Sequence, residues 1–160
     1  MKKMILCPTR GGKASYPNQD CAIDLAKKRG QDLLFLYVTN VQFLGQTALP
    51  KVVDIEAELE EMGDFLLAMA QERAQKAGVK ASTTVRSGVF RTVLKEVLSE
   101  YPIETIVIGT SSQSTGVVTP DFVRELAEEV RRESGVEFIV LYEGEIVDTH
   151  HSQAESHQAE

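Results

Sequence analysis

Histidine is scarce and confined to positions 150, 151 and 157, so the chain before His150 holds none. A Ser–His or Cys–His nucleophile–base pair is therefore missing from the body of the protein. The three histidines could ligate a metal, but they fall in a polar terminal stretch best read as a disordered tail. Cysteine is scarcer still. Cys7 and Cys21 lack the CxxC spacing of a redox pair and read as small, soft core side chains. Long apolar runs are missing too. None approaches the roughly 20 residues that span a bilayer. The opening Met1-Lys2-Lys3-Met4 leads into an apolar run too short for a signal-peptide core, so a cytoplasmic protein is expected. An excess of positive charge is also absent. Of the 24 acids, 19 lie before Glu143 together with all 17 bases. That balance leaves no electrostatic footprint for nucleic acid or for an anionic membrane. Beyond Tyr142 there is no Lys or Arg at all.

What is present suits one α/β domain over residues 1–143, followed by a polar, acidic, disordered tail over 144–160. Met4-Ile5-Leu6-Cys7-Pro8 is a continuously apolar strand, the mark of a strand covered on both faces. After the turn Thr9-Arg10-Gly11-Gly12-Lys13-Ala14, Ser15 caps a helix that tolerates an early Pro17, buries Cys21, Ala22, Leu25 and Ala26, and stops at Gly30. Asp32 to Val38 is the second strand, and Thr39 to Lys51 a long irregular connection. The next helix spaces Ile55, Leu59, Met62, Leu66, Met69, Arg73 and Ala77 at three and four residues, which casts Met62 and Met69 as core fillers. Val79 to Arg86 is the third strand. A helix with Phe90, Val93, Leu94, Val97, Leu98 and Tyr101 on one face follows and ends at Pro102. The fourth strand runs to Gly109. The last helix buries Phe122, Val123, Leu126, Ala127 and Val130, and Glu137 to Tyr142 is the fifth strand.

Strands alternating with helices imply a parallel sheet with helices on both faces, because crossovers are right-handed. The organising stretch is Glu104 to Val130. It comprises an apolar strand, the hydroxyl-rich loop Thr110-Ser111-Ser112-Gln113-Ser114-Thr115-Gly116, and a helix opening at Thr119-Pro120-Asp121. A strand, a small polar loop and a helix N-terminus form a pocket for negative charge. In doubly wound sheets the ligand crevice lies at the carboxyl ends of the strands, where the winding reverses.

On these residues the chain resembles the universal stress protein family over Met4 to Tyr142. Ile5-Leu6-Cys7-Pro8-Thr9 is similar to that family's first strand and turn, Asp32 to Val38 to its second strand, and Ile106-Val107-Ile108-Gly109-Thr110 to its fourth. The resemblance implies a five-stranded parallel sheet of order 3-2-1-4-5. It also implies a homodimer, formed here by pairing Phe138 to Tyr142 across a two-fold axis. Some members of the family bind ATP through G-x-x-G-x9-G-[S/T] after the fourth strand. Gly109 matches the first glycine, Ser112 stands at the second, and Phe122-Val123 falls where Gly-Ser or Gly-Thr belongs. Arg10 stands where the family has an acid, and a guanidinium cannot accept the hydrogen bonds a carboxylate would. The carried-over cofactor site is therefore degenerate: Pro8, Thr9, Arg10, Gly11, Val38, Gly109, Ser111, Ser112 and Thr119, toward ATP, another adenine nucleotide or a different phosphate or anion. In the plainer reading Gly11 and Gly12 shape a turn, Lys13 is solvated and Thr119 caps a helix.

Three functions stay open on the sequence. The first is a non-catalytic stress-response module binding a nucleotide or a partner. The second is an ATP pyrophosphatase-like enzyme, because Arg10-Gly11-Gly12-Lys13-Ala14-Ser15 partly resembles the SGGxDS loop. The third is an interaction module with an empty cleft.

Overall fold

The computed structural model describes residues 2–11, 13–39, 50–110 and 120–150, the side chains of 50–56 excepted. Its elements run β1 (Met4–Pro8), a 3-10 turn (Lys13–Ser15), α1 (Tyr16–Arg29), β2 (Asp32–Thr39), α2 (Pro50–Lys76), β3 (Ala81–Ser87), α3 (Phe90–Glu100), β4 (Ile103–Gly109), α4 (Pro120–Ser134), β5 (Glu137–Tyr142) and β6 (Glu145–His150). The sheet order is β3-β2-β1-β4-β5-β6. The first five strands are parallel, and β6 returns antiparallel to β5.

Alternation along the central strands sends side chains into two separate cores. Leu6, Leu34, Leu36, Ile106, Ile108, Phe138 and Val140 meet Val93, Leu94 and Val97 of α3 and Val123, Leu126 and Val130 of α4. Ile5, Cys7, Leu33, Phe35, Val107, Ile139 and Leu141 face Ala22, Ile23 and Ala26 of α1 and Leu67, Ala70 and Ala74 of α2. Burial on both sides explains why these strands read as unbroken apolar runs. Each fully buried Leu, Ile or Phe contributes roughly 1.5–3 kcal/mol.

Four expectations need correction. The sheet has six strands, not five. The sixth occupies the opening of the segment read as a disordered tail. The turn that permits it is Glu143-Gly144, with φ of 51° and 85°, the consecutive left-handed pair of a two-residue hairpin. A charged residue ahead of the glycine hid this signal.

Second, pairing of a second copy on Phe138 to Tyr142 meets an occupied strand. β5 is bonded to β4 on one side and to β6 on the other. Third, Ser15 precedes α1 in a helical conformation and makes no side-chain cap. On α1 itself Gln19, Ala22, Ile23 and Ala26 are buried, while Cys21 and Leu25 are half-buried.

Fourth, α2 presents a different face to the sheet from the one its large residues suggest. Gly63, Leu67, Ala70 and Ala74 are buried, whereas Met62 is 54% exposed, Phe65 66% and Met69 36%. Small residues win because the helix lies close to the sheet. A Cβ on Gly63 would stand 2.7 Å from Cδ1 of Tyr37.

Candidate functional site

The winding reverses between β1 and β4, which are hydrogen-bonded neighbours pointing the same way. The segments following Pro8 and Gly109 therefore leave the sheet from one end, a strand apart. Thr9 is fixed first. Its N–H donates to the Leu36 carbonyl at 2.9 Å, continuing the β1–β2 ladder. Its hydroxyl then accepts two bonds, from the Gly11 N–H and from the Gln19 amide, each at 3.1 Å. Gly11 has φ of 73°, and a Cβ there would meet Leu66 of α2 at 2.5 Å. The turn is thus locked between α1 and α2, and Arg10 at its apex is exposed.

Gln19 is 1% exposed, and its Oε1 is buried without a hydrogen-bond partner. Nothing in the apolar spacing of α1 pointed to this residue. A polar side chain one turn into a helix that must face the first loop was the available signal.

Gly109 closes β4 beside Asn18, whose amide occupies the space a Cβ would need. The Asn18 Oδ1 accepts from the Gly144 N–H at 2.7 Å. One half-buried side chain on the first turn of α1 therefore ties the end of β4 to the β5–β6 turn. Thr110 continues into the sheet's far half by donating its N–H to the Leu141 carbonyl at 2.8 Å.

Of the carried-over residues, Pro8, Thr9, Arg10, Gly11 and Gly109 lie at this end of the sheet. Val38 lies next to the end of β2, but its side chain packs against the α3–α4 core. Ser111, Ser112 and Thr119, with Ser114, Thr115 and Gly12, lie outside the described residues. Lys13 begins the 3-10 turn and is exposed. The Gly11 N–H already has an acceptor within the loop, so it is not available to cradle a pyrophosphate as an SGGxDS-type loop requires.

A separate cavity of about 330 Å³ opens on the α4 face, lined by Thr110, Pro120, Arg124, Tyr142, Asp148 and His150 among others. His150 Nε2 lies 3.0 Å from the Asp148 carboxylate, at ion-pair distance but without hydrogen-bond alignment. Among the described residues no group of three or more His, Cys, Asp or Glu is placed to hold a metal ion. The two thiols are unpaired. Burial, with Cys21 nearby, pushes Cys7 up to about 12, and burial followed by Asp24 raises Cys21. Neither is an activated nucleophile at neutral pH. No described helix is long and apolar enough to cross a membrane.

Comparison with known proteins converges on one family. The model of the universal stress protein family matches residues 1–117. Universal stress protein MJ0531 of Methanocaldococcus jannaschii is 29% identical over 113 residues, covering 70% of this chain. The match spans 66% of that relative's length. Among solved structures, a universal stress protein in complex with cAMP superposes with a TM-score of 0.62 at 18% identity, covering 88% of this chain and 97% of the other. The universal stress protein of Archaeoglobus fulgidus in complex with dAMP gives 0.55 at 15%, covering 88% and 97%. These two structures share the fold with this protein. With a family match that extends from the first strand through the fourth, the chain belongs to the universal stress protein family.

Proposed function

We propose that this protein is a non-catalytic, cytoplasmic stress-response module that holds an adenine nucleotide, or another phosphate-bearing anion, between the loops after β1 and β4. The observation that supports the reading is the convergence of Thr9, Arg10 and Gly11 with Gly109 at the reversal point, and the sequence that follows Gly109 is rich in serine and threonine. Crevices of this kind bind phosphates through backbone N–H groups and helix N-termini. Two fold relatives were solved with cAMP and dAMP. Arg10 takes the position of the family's acid and shifts the preference toward the anionic part of a ligand, since a guanidinium forks onto phosphate. Ser111, Ser112 and Thr119 supply the remaining polar contacts in this proposal.

Thermal melts with ATP, ADP, AMP, cAMP, dAMP and pyrophosphate test it. A ligand at 100 times its Kd adds about 2.7 kcal/mol, or about 5–10 °C for a domain of this size. Arg10→Asp is expected to raise ATP affinity and lower pyrophosphate affinity. Absence of any shift removes the ligand reading and leaves an interaction module. Turnover of ATP to AMP and pyrophosphate removes the non-catalytic one. We also propose a homodimer; with β5 covered, the strand at that edge of the sheet is β6, and β3 forms the other edge.

A further inference from the structure

The outward face of α2 carries a feature that neither the fold nor the crevice uses. Met62, Phe65 and Met69 are spaced i, i+3 and i+7, so they form one stripe two turns long, and all three are exposed. They lie outside the face that Gly63, Leu67 and Ala70 bury against the sheet. A contiguous exposed apolar stripe of this kind marks a contact surface. Methionines suit such a surface because they repack around different partners.

The rim of the stripe has one sign. Glu58 and Glu61 flank its N-terminal end and Glu72 its C-terminal end, and all three are exposed. Between Glu58 and Glu72 the helix contains no Lys or Arg. The two cations that follow on this helix are engaged. Lys76 pairs with Glu72 at 3.3 Å, and Arg73 pairs with Asp20 and lies over the Tyr16 ring at 4.0 Å.

We propose that this face docks a basic amphipathic helix of a partner protein. The partner helix would run alongside α2 with its own apolar heptad positions on Met62, Phe65 and Met69, and with Lys or Arg opposite Glu58 and Glu61. Charge selects this occupant over a second copy of the chain. A two-fold contact on the stripe would set the same acids against themselves, and like charges across a contact are unfavourable. The inference is independent of the nucleotide reading.

The test uses the full chain and two synthetic probes, helices of about 18 residues built from Leu and Lys or from Leu and Glu on one pattern. The Leu/Lys probe is expected to bind saturably, with amide chemical-shift changes centred on Met62 to Glu72 and affinity falling as salt rises. The Leu/Glu probe is expected not to bind. The variant M62S/F65S/M69S keeps every charge and substitutes only exposed positions. It is expected to melt like the wild type and to lose at least tenfold in affinity. Equal affinity in that variant, or shifts centred elsewhere, overturns the proposal. So does sedimentation showing that wild type dimerises while the serine variant stays monomeric, because a second copy would then cover the stripe.

Discussion

Removing the Asn18 side chain tests how the functional end of the sheet is held together. In Asn18→Ala the Gly144 N–H loses the acceptor now 2.7 Å away. A neutral hydrogen bond contributes about 0.5–1.5 kcal/mol, and a stranded half-buried donor raises the loss to about 1–3. A loss of about 1–2 kcal/mol is expected, which at about 2–4 °C per kcal/mol lowers the Tm by about 2–8 °C. The same amide blocks a side chain at Gly109. Gly109→Ala in the wild type must push Asn18 off its partner, so it loses that bond and adds strain, about 2–3 kcal/mol together. In the Asn18→Ala background the space is open and the second substitution costs much less. Urea melts of the four proteins should therefore give a coupling of about 1 kcal/mol or more. Additive effects would refute the claim that Asn18 is what requires glycine at 109. The outcome also governs nucleotide experiments, since lost binding in Gly109→Ala would then report a displaced α1 contact as readily as a missing phosphate contact.

Other expected outcomes are simpler. Gly11→Ala should destabilise by about 2–4 kcal/mol, combining left-handed backbone strain with the clash against the Leu66 Cβ; a smaller loss in Gly11→Ala/Leu66→Gly, measured against Leu66→Gly alone, isolates the clash. Replacing Glu143 with Asn gives the favoured Asn-Gly hairpin pair at a position where φ is 51° and should stabilise by a few tenths to about 1 kcal/mol in denaturant melts. Cys7 should resist alkylation at pH 8 until the protein unfolds, while half-buried Cys21 reacts slowly, as peptide mass mapping would show. Because Cys7 is held near 12 against an ordinary value of 9.0, its contribution is complete below about pH 9. It is then lost as pH rises through the native value, since the unfolded thiol ionises first. Cys7→Ala should flatten that alkaline decline, read as stability against pH.

Local chemistry determined most of the architecture in advance. Met4–Pro8 and Glu137–Tyr142 appear as strands at the residues expected, because an unbroken apolar run bounded by turn residues has few other places to go. Val93, Leu94 and Val97, and Val123, Leu126 and Val130, are buried as their spacing implied, because a strong amphipathic pattern admits one orientation. Gly30 ends α1 in the left-handed conformation that a glycine stop requires. That Thr9, Arg10, Gly11 and Gly109 come to one end of the sheet was legible from chain order, since parallel strands bring their carboxyl ends together.

Other features were decided only by approach distance and long-range contact. Which face of α2 turns inward depends on how closely it nears Tyr37, a distance no helical spacing encodes, and that is why Gly63 is inside and Phe65 outside. The role of Asn18 depends on partners far along the chain, Gly109 and Gly144. β6 exists because β5 offers it a ladder, since its own alternation buries almost nothing. Apolar period selects the elements of this protein, but the gap between two packed surfaces selects which residues face each other across it.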